Sequence, residues 1–235
     1  MFTHQKWFLG GVFIGITLFI LFYFTQKAKA ETYYKPVDVA LLLAIDVSGS
    51  VSDENWKLQR QGIVDVLMSK RFEEVRKINF IGRMAIGVMQ WGTMAHESIP
   101  MMLIEDGTDL LRLALQVDKM ERAESDMTFM GPMFKKAAEI LEPWSYYATR
   151  MVVDVSGDGE SNGGIEPEPF RQALLDAGVT INALPIITSL EPKLDEYYEK
   201  HVMGGPGSFL VVAYGEKDFA RAFIKKFISE IALNR

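Results

Sequence analysis

The stretch Val39-Ala-Leu-Leu-Leu-Ala-Ile45-Asp46-Val47-Ser48-Gly49-Ser50 decides the fold. Seven apolar residues in a row predict a strand buried on both faces, because a strand with one wet face would alternate. The run ends in Asp46, Ser48, Gly49 and Ser50, residue types of turns and helix caps. A helical pattern follows, with Ser52-Asp53-Glu54 at its start and Trp56, Ile63, Val64, Leu67 and Met68 at helical spacing, to about Lys70. A carboxylate and two hydroxyls therefore stand at the C-terminal end of a central strand, the edge at which open α/β sheets bind ligands. Three hard oxygen groups at alternate positions suit Mg²⁺, Mn²⁺ or Ca²⁺.

Outward from this strand, apolar runs and helical patterns alternate. Phe72 to Ile78 reads as a helical turn or loop, Met84 to Trp91 as a second buried strand and Glu97 to Ile104 as a third. The few residues between the last two predict a hairpin. Asp106-Gly-Thr-Asp109 starts a helix through Val117, and Glu121 to Met130 is a polar loop. Gly131-Pro132 opens the next helix. Arg150 to Ser156 is a strand, and Gly157 to Pro169 a long Gly/Pro/Glu loop suited to the rim of a site. Phe170 to Ala177 is a helix ended by Gly178, Val179 to Pro185 a strand and Leu194 to Val202 a helix. Gly204-Gly-Pro-Gly207 is a turn, Phe209 to Ala213 a last strand and Phe219 to Leu233 an amphipathic closing helix. The alternation predicts a doubly wound α/β domain with a mostly parallel sheet and helices on both faces.

Asp46-x-Ser48-x-Ser50 after a buried strand resembles the metal-ion-dependent adhesion site of von Willebrand factor A domains. That resemblance implies a Thr and an Asp from later loops. Ser125-Asp-Met-Thr128-Phe-Met-Gly131 supplies the Thr, in a polar loop before a helix, and the Thr is also a candidate N-cap. Val155-Ser-Gly-Asp158-Gly159 supplies the Asp-Gly after a strand. Three elements in family order, at one sheet edge, are far more specific than any one of them. The resemblance covers residues 37 to about 233. With Gln90-Trp91-Gly92, the Ser-Gly-Asp-Gly form looks like an uncharacterised bacterial branch. It implies a metal set of Asp46, Ser48, Ser50, Thr128 and Asp158. Ser48, Ser50 and Thr128 would touch the ion directly, and the two carboxylates through water. A Mg²⁺ ion, or Mn²⁺ or Ca²⁺, would then keep an open position for a Glu or Asp carboxylate of a protein partner. Asp154, within the strand, is the competing carboxylate. It reads either as a ligand, as a partner for an Arg such as Arg150, or as a buried group held by hydrogen bonds.

Composition bounds the alternatives. The chain has 235 residues, no cysteine and a net charge of −6, which excludes disulfides, thiolate chemistry and cysteine-zinc sites. Lys6, Lys27 and Lys29 are the only charged side chains among the first thirty residues, and without them the net charge is −9. Such a surface argues against nucleic-acid binding and against adhesion to anionic lipid. Trp7 to Phe24 is 18 residues without a charge, close to the ~20 that span a bilayer, and Ala28-x-Ala30 fits a signal-peptidase site. Residues 1–30 are expected to be a cleaved signal peptide or an uncleaved anchor, and 31–36 a linker. Residues 37–235 form the domain, placed in the periplasm or otherwise outside the cytoplasmic membrane. Contact with the membrane is expected only through residues 7–24, if they are uncleaved.

Two readings compete with a binding module. Gly159-Glu-Ser161-Asn-Gly163 matches the G-x-S-x-G nucleophile elbow, with Asp195 and His201 following in hydrolase order. The elbow needs a strand running straight into the Ser, and here Ser156-Gly-Asp-Gly159 intervenes. Asp195 and His201 also lie six apart on one predicted helix. The other reading is a scaffold without metal that works by surface contacts. No phosphate-binding loop and no dinucleotide fingerprint is present.

Overall fold

In the computed structural model, which describes residues 35–215 and 218–232, the predicted central strand is β1, Val37–Asp46, with every residue buried. It lies in a six-stranded sheet with β2 (Met84–Trp91), β3 (Ala95–Ile104), β4 (Ala148–Gly157), β5 (Thr180–Ile187) and β6 (Ala213–Tyr214). The order is β3-β2-β1-β4-β5-β6. Among these strands only the β2–β3 hairpin is antiparallel. Seven α-helices are described: α1 (Asp53–Leu67), α2 (Lys70–Ile78), α3 (Gly107–Asp118), α4 (Met130–Leu141), α5 (Glu168–Asp176), α6 (Leu194–His201) and α7 (Phe219–Ala232). The hydrophobic segment 7–24 and the expected cleavage site lie outside the described residues. Among the described residues no helix is long and apolar enough to cross a membrane.

Helices cover both faces of β1, which is why its apolar run does not alternate. On one face Val39, Leu41, Leu43 and Ile45 join a core with Trp56 and Ile63 of α1, Phe72 of α2, Leu113 and Val117 of α3, and Phe219, Phe223 and Phe227 of α7. The α7 rings stack 5.4 and 5.5 Å apart, and Phe72 meets Phe227 at 5.2 Å. The intervening residues Ala40, Leu42 and Ala44 are equally buried toward the other face, where α4 packs with Met133, Phe134 and Ala137.

Three expectations change. The single helix expected from Ser52 to about Lys70 ends at Leu67, and residues 70–78 form a helix of their own. Ser69 sets that boundary, because its hydroxyl accepts from the Phe72 amide at 3.2 Å and caps α2. The last strand, expected over Phe209 to Ala213, is reduced to Ala213–Tyr214. Before it, Ala183 pairs with this segment through Ala183 N–H to Phe209 O and Val211 N–H to Ala183 O. The next donor in a parallel ladder would be residue 185, which is a proline and has no N–H, so the ladder breaks there.

The third concerns Asp154, for which the sequence left three readings open, among them a pair with Arg150. Its register partner on β1 is Leu43, so it faces the α7 side of the sheet, and there it forms an ion pair with Lys226, not with Arg150. Lys226 is fully buried, on the same stripe of α7 as Phe223 and Phe227. Breaking a buried pair leaves an uncompensated charge, whereas replacing both partners by apolar groups is often neutral. Lys226→Met should therefore destabilise the domain by about 3–5 kcal/mol. Adding Asp154→Leu to that variant should recover most of the loss, and a urea-unfolding double-mutant cycle measures both.

Candidate metal centre

β1 delivers Asp46 to the C-terminal edge of the sheet, and the chain turns at once into α1. The Asp46 Oδ1 atom accepts the Ser48 amide at 2.8 Å, and Val51 N–H closes a turn on Ser48 O at 3.0 Å. Ser52 then caps α1, its hydroxyl accepting the Asn55 amide at 3.2 Å. This local geometry sets the Ser48 and Ser50 hydroxyls 3.2 Å apart. Ser50 donates across the sheet edge to Asp158 Oδ1 at 2.5 Å. Asp46, Ser48, Ser50 and Asp158 thus form one connected chain of polar contacts.

Thr128 reaches the same place from the loop before α4. Its main chain is held to Asn162 in both directions: Thr128 N–H donates to Asn162 Oδ1 at 3.0 Å, and Asn162 N–H to Thr128 O at 2.9 Å. The helix cap is Phe129, without a side-chain bond, so the Thr128 hydroxyl is not used for capping. It lies over Gly159, where a Cβ would sit 3.7 Å from Oγ1. Ser50, Thr128 and Asp158 line one open depression of about 590 Å³, and Asp46 and Ser48 stand fully buried behind it. All five residues that the sequence singles out are brought together, and Asp154 is not among them.

The site is electrostatically incomplete. The Asp46 Oδ2 atom is buried and has no hydrogen-bond partner among the described residues. Burial pushes the Asp46 carboxyl up to about 7, its contacts to Ser48 oppose the rise, and the neighbouring Asp158 charge adds to it. Asp158 is also raised by burial, against the Ser50 hydrogen bond and the Arg122 charge. Two carboxylates near each other, one with an orphaned oxygen, and three hydroxyls are a donor set that fits a hard divalent cation. Among the described residues no group of three or more His, Asp or Glu could hold a metal ion.

Several supporting residues carry no motif. Arg122 donates to Val47 O at 3.2 Å and Ser48 O at 3.0 Å, and pairs with Asp53 at 2.9 Å, so it clamps the loop between Asp46 and Ser50 onto the first turn of α1. Gln90 holds the approach to Thr128, bonding Glu121 O at 2.9 Å and the Ala123 amide at 2.8 Å. Gly92 O accepts from the Phe129 amide, and a side chain at Gly92 would collide with Ser125. The Gln90-Trp91-Gly92 run is therefore what seats the Thr128 loop. A Cβ on Gly157 would fall 2.5 Å from the Tyr198 hydroxyl and 2.7 Å from Asp46 Oδ2, so only glycine fits. The signal available for Arg122 was a lone cation in the acidic segment before Thr128, and Tyr198 gave none.

Ser161 does not form a nucleophile–base pair. Its hydroxyl accepts from the Met130 amide at 3.3 Å, its own amide donates to the Tyr197 hydroxyl at 3.2 Å, and it makes no hydrogen bond to Asp195 or His201. It sits in an extended loop, and α5 does not begin until Glu168.

The raised Asp46 carboxyl has a direct consequence. Its ordinary value is 3.8, so between about pH 4 and pH 7 the folded chain holds a proton that the unfolded chain has released. Metal-free protein should lose stability as pH rises through this window, and Asp46→Asn should flatten the dependence. Urea unfolding in chelator at pH 5, 6 and 7 reads the slope.

A family described as "Protein of unknown function (DUF1194)" matches residues 36–235. No curated protein matches the chain by sequence. Among solved structures, proximal thread matrix protein 1 from the mussel byssus aligns with TM-score 0.62 at 18% identity, covering 85% of this chain and 48% of that one. The chain spans about half the length of that protein. A second structure of it, described as having a zinc-occupied MIDAS motif, aligns with TM-score 0.61 at 18% identity, over 85% of this chain and 49% of that one. A von Willebrand factor type A protein from Catenulispora acidiphila aligns at 0.58 with 13% identity, over 83% of this chain and 43% of that one. BatB from Bacteroides thetaiotaomicron aligns at 0.57 with 12% identity, over 83% and 99%. At these identities the likeness is one of fold, and the fold is that of von Willebrand A domains.

Proposed function

Because the chain belongs to the DUF1194 family and folds as a von Willebrand A domain, we propose that it is a binding module, not an enzyme, that grips a protein partner through a divalent cation. Asp46, Ser48, Ser50, Thr128 and Asp158 would hold the ion, and a Glu or Asp carboxylate of the partner would complete its shell. The observation that carries this reading is the buried, unpartnered Asp46 Oδ2 behind an open set of hydroxyls. A buried carboxylate without a partner is costly, and a cation bound beside it removes that cost. The all-oxygen donor set favours Mg²⁺, with Mn²⁺ and Ca²⁺ as substitutes. The mussel protein's zinc-occupied motif supports a metal in this fold position in general terms.

What this chain's own residues contribute follows from their contacts. Ser50 and Thr128 present neutral oxygens at the rim, so a bound ion's charge is left for an outside anion. Asp46 and Asp158 supply negative charge from behind. Arg122 and Gln90 hold the two loops in register, so little ordering remains to be done on binding. Cation binding should raise stability by mass action, about 2.7 kcal/mol at a hundredfold excess over the dissociation constant. Thermal melts of the full chain with and without Mg²⁺, Mn²⁺ and Ca²⁺ test this. Thr128→Ala should abolish the increment and leave the metal-free melt unchanged. Unchanged melting in all three cations would favour the metal-free scaffold instead.

The place of action is proposed from the leader. Residues 1–30 would export the domain, as a cleaved signal peptide or as a membrane anchor. Amino-terminal sequencing of the mature protein should begin at Glu31 after cleavage, and full-length soluble protein in the cytoplasm would refute both forms.

A further inference from the structure

Four large apolar side chains stand exposed on four different loops around the candidate metal centre. They are Met94 between β2 and β3, Met127 beside Thr128, Ile165 between β4 and α5, and Leu190 between β5 and α6, exposed by 60%, 47%, 45% and 86%. Leu190 lines the central depression with Ser50, Thr128 and Asp158. Met94 lines a second depression of about 720 Å³ that shares Asp126 with the first. Ile165 lines a third, of about 290 Å³, that shares Ser161 with it. The three depressions therefore adjoin, with Leu190 in the one that holds the hydroxyls, Met94 and Ile165 in its two neighbours, and Met127 next to Thr128 in sequence. Scattered exposed hydrophobics need no explanation, but a set gathered round one polar centre marks an interaction surface.

The charge left without an ion pair on this rim is acidic. Glu124, Asp126, Glu160, Glu166 and Glu191 all border the three depressions, and none forms an ion pair among the described residues. The rim cation Arg122 is already committed to Asp53 and to main-chain carbonyls. An ion bound at the centre would thus lie inside an acidic belt whose neighbouring guanidinium, Arg122, is already paired.

We infer that the partner is a protein loop whose metal-binding carboxylate is flanked first by apolar residues and then by Lys or Arg. The apolar neighbours would lie on Met127, Leu190, Met94 and Ile165 and exclude water from the centre, the arrangement in which a central polar contact counts most. The outer cations would meet the uncompensated carboxylates, which set the approach and reject acidic partners. An anionic lipid headgroup offers hard oxygens too, but the acidic belt repels such a surface. This inference rests on the metal-bridged reading above and narrows it to one partner chemistry.

The test is selection from a library of displayed cyclic peptides carrying one fixed Glu with the positions on either side randomised, against the full chain in Mg²⁺. Enriched peptides should carry Leu, Ile, Val, Met or Phe next to the Glu, and Lys or Arg beyond. The double variant Met127→Ser/Leu190→Ser should weaken the best peptide by at least about tenfold, roughly one buried aliphatic side chain. Glu166→Lys combined with Glu191→Lys should turn the enrichment away from basic flanks. Enrichment without the apolar or basic bias, an undiminished affinity in the Ser variant, or no enrichment at all would overturn the inference. Mg²⁺-dependent binding to phosphatidylglycerol vesicles in place of peptides would overturn it as well. A biased enrichment that persists in chelator and in Thr128→Ala would refute the metal bridge while leaving the rim's selectivity standing, so the two failures are separable.

Discussion

Burial of β1 on both faces is the constraint from which the rest of this molecule follows. A strand covered by helices on each side must be apolar along its length, and Val39 to Ile45 is. The chain can become polar again only where the cover ends, at the C-terminal edge of the sheet. Asp46 is the first polar side chain after that run, and it is still fully buried. One of its oxygens is satisfied by the Ser48 amide, and the other has no hydrogen-bond partner among the described residues. The neighbouring Asp158 carboxyl adds repulsion instead of relief. The carboxylate form of Asp46 is thus disfavoured in a way that a cation, or a proton, relieves.

The surroundings are built to keep that arrangement in place. Arg122 and Gln90 tie down loops that come from different parts of the chain, and Gly157 and Gly92 let those loops approach where a Cβ would collide. The buried pair between Asp154 and Lys226 works on the α7 face of the sheet. It holds α7 against β4 in one register, since sliding the helix would leave both charges unpaired. An uncompensated buried charge is costly, so the pair penalises any displacement of the closing helix. It also holds Asp154 away from Asp158, although the two are only four positions apart.

The solved structures that align with this chain, at 12–18% identity, share its von Willebrand A architecture. Function at such distances lives in the site and not in the fold. In this chain the site is hydroxyl-rich and recessed, and its rim combines exposed apolar groups with acidic ones. The hydrolase reading has no such support. Ser161 makes no hydrogen bond to Asp195 or His201, its hydroxyl accepts from the Met130 amide, and its loop lacks the strand-to-helix turn that exposes a nucleophile.

The sequence by itself determined what depends on local pattern. The unbroken apolar run required a doubly covered strand, the alternation of strands and helices required a wound sheet, and Asp46, Ser48 and Ser50 stood out at the end of that run, whereas Thr128 and Asp158 were reached through the resemblance to von Willebrand A domains. Lengths were less legible where a side chain overrides periodicity, as Ser69 does by capping α2 and Pro185 by withholding an N–H from β6. Only the tertiary structure decided which carboxylate stands with the hydroxyls, because that depends on which face of β4 each one takes and what packs there. Lys226 was readable as a cation in an apolar stripe, but its partner lies 72 residues away on another element. The same holds for Arg122, Tyr198 and the four apolar rim residues. Their roles arise from proximity between separate loops, and no spacing within any one stretch of the chain encodes it.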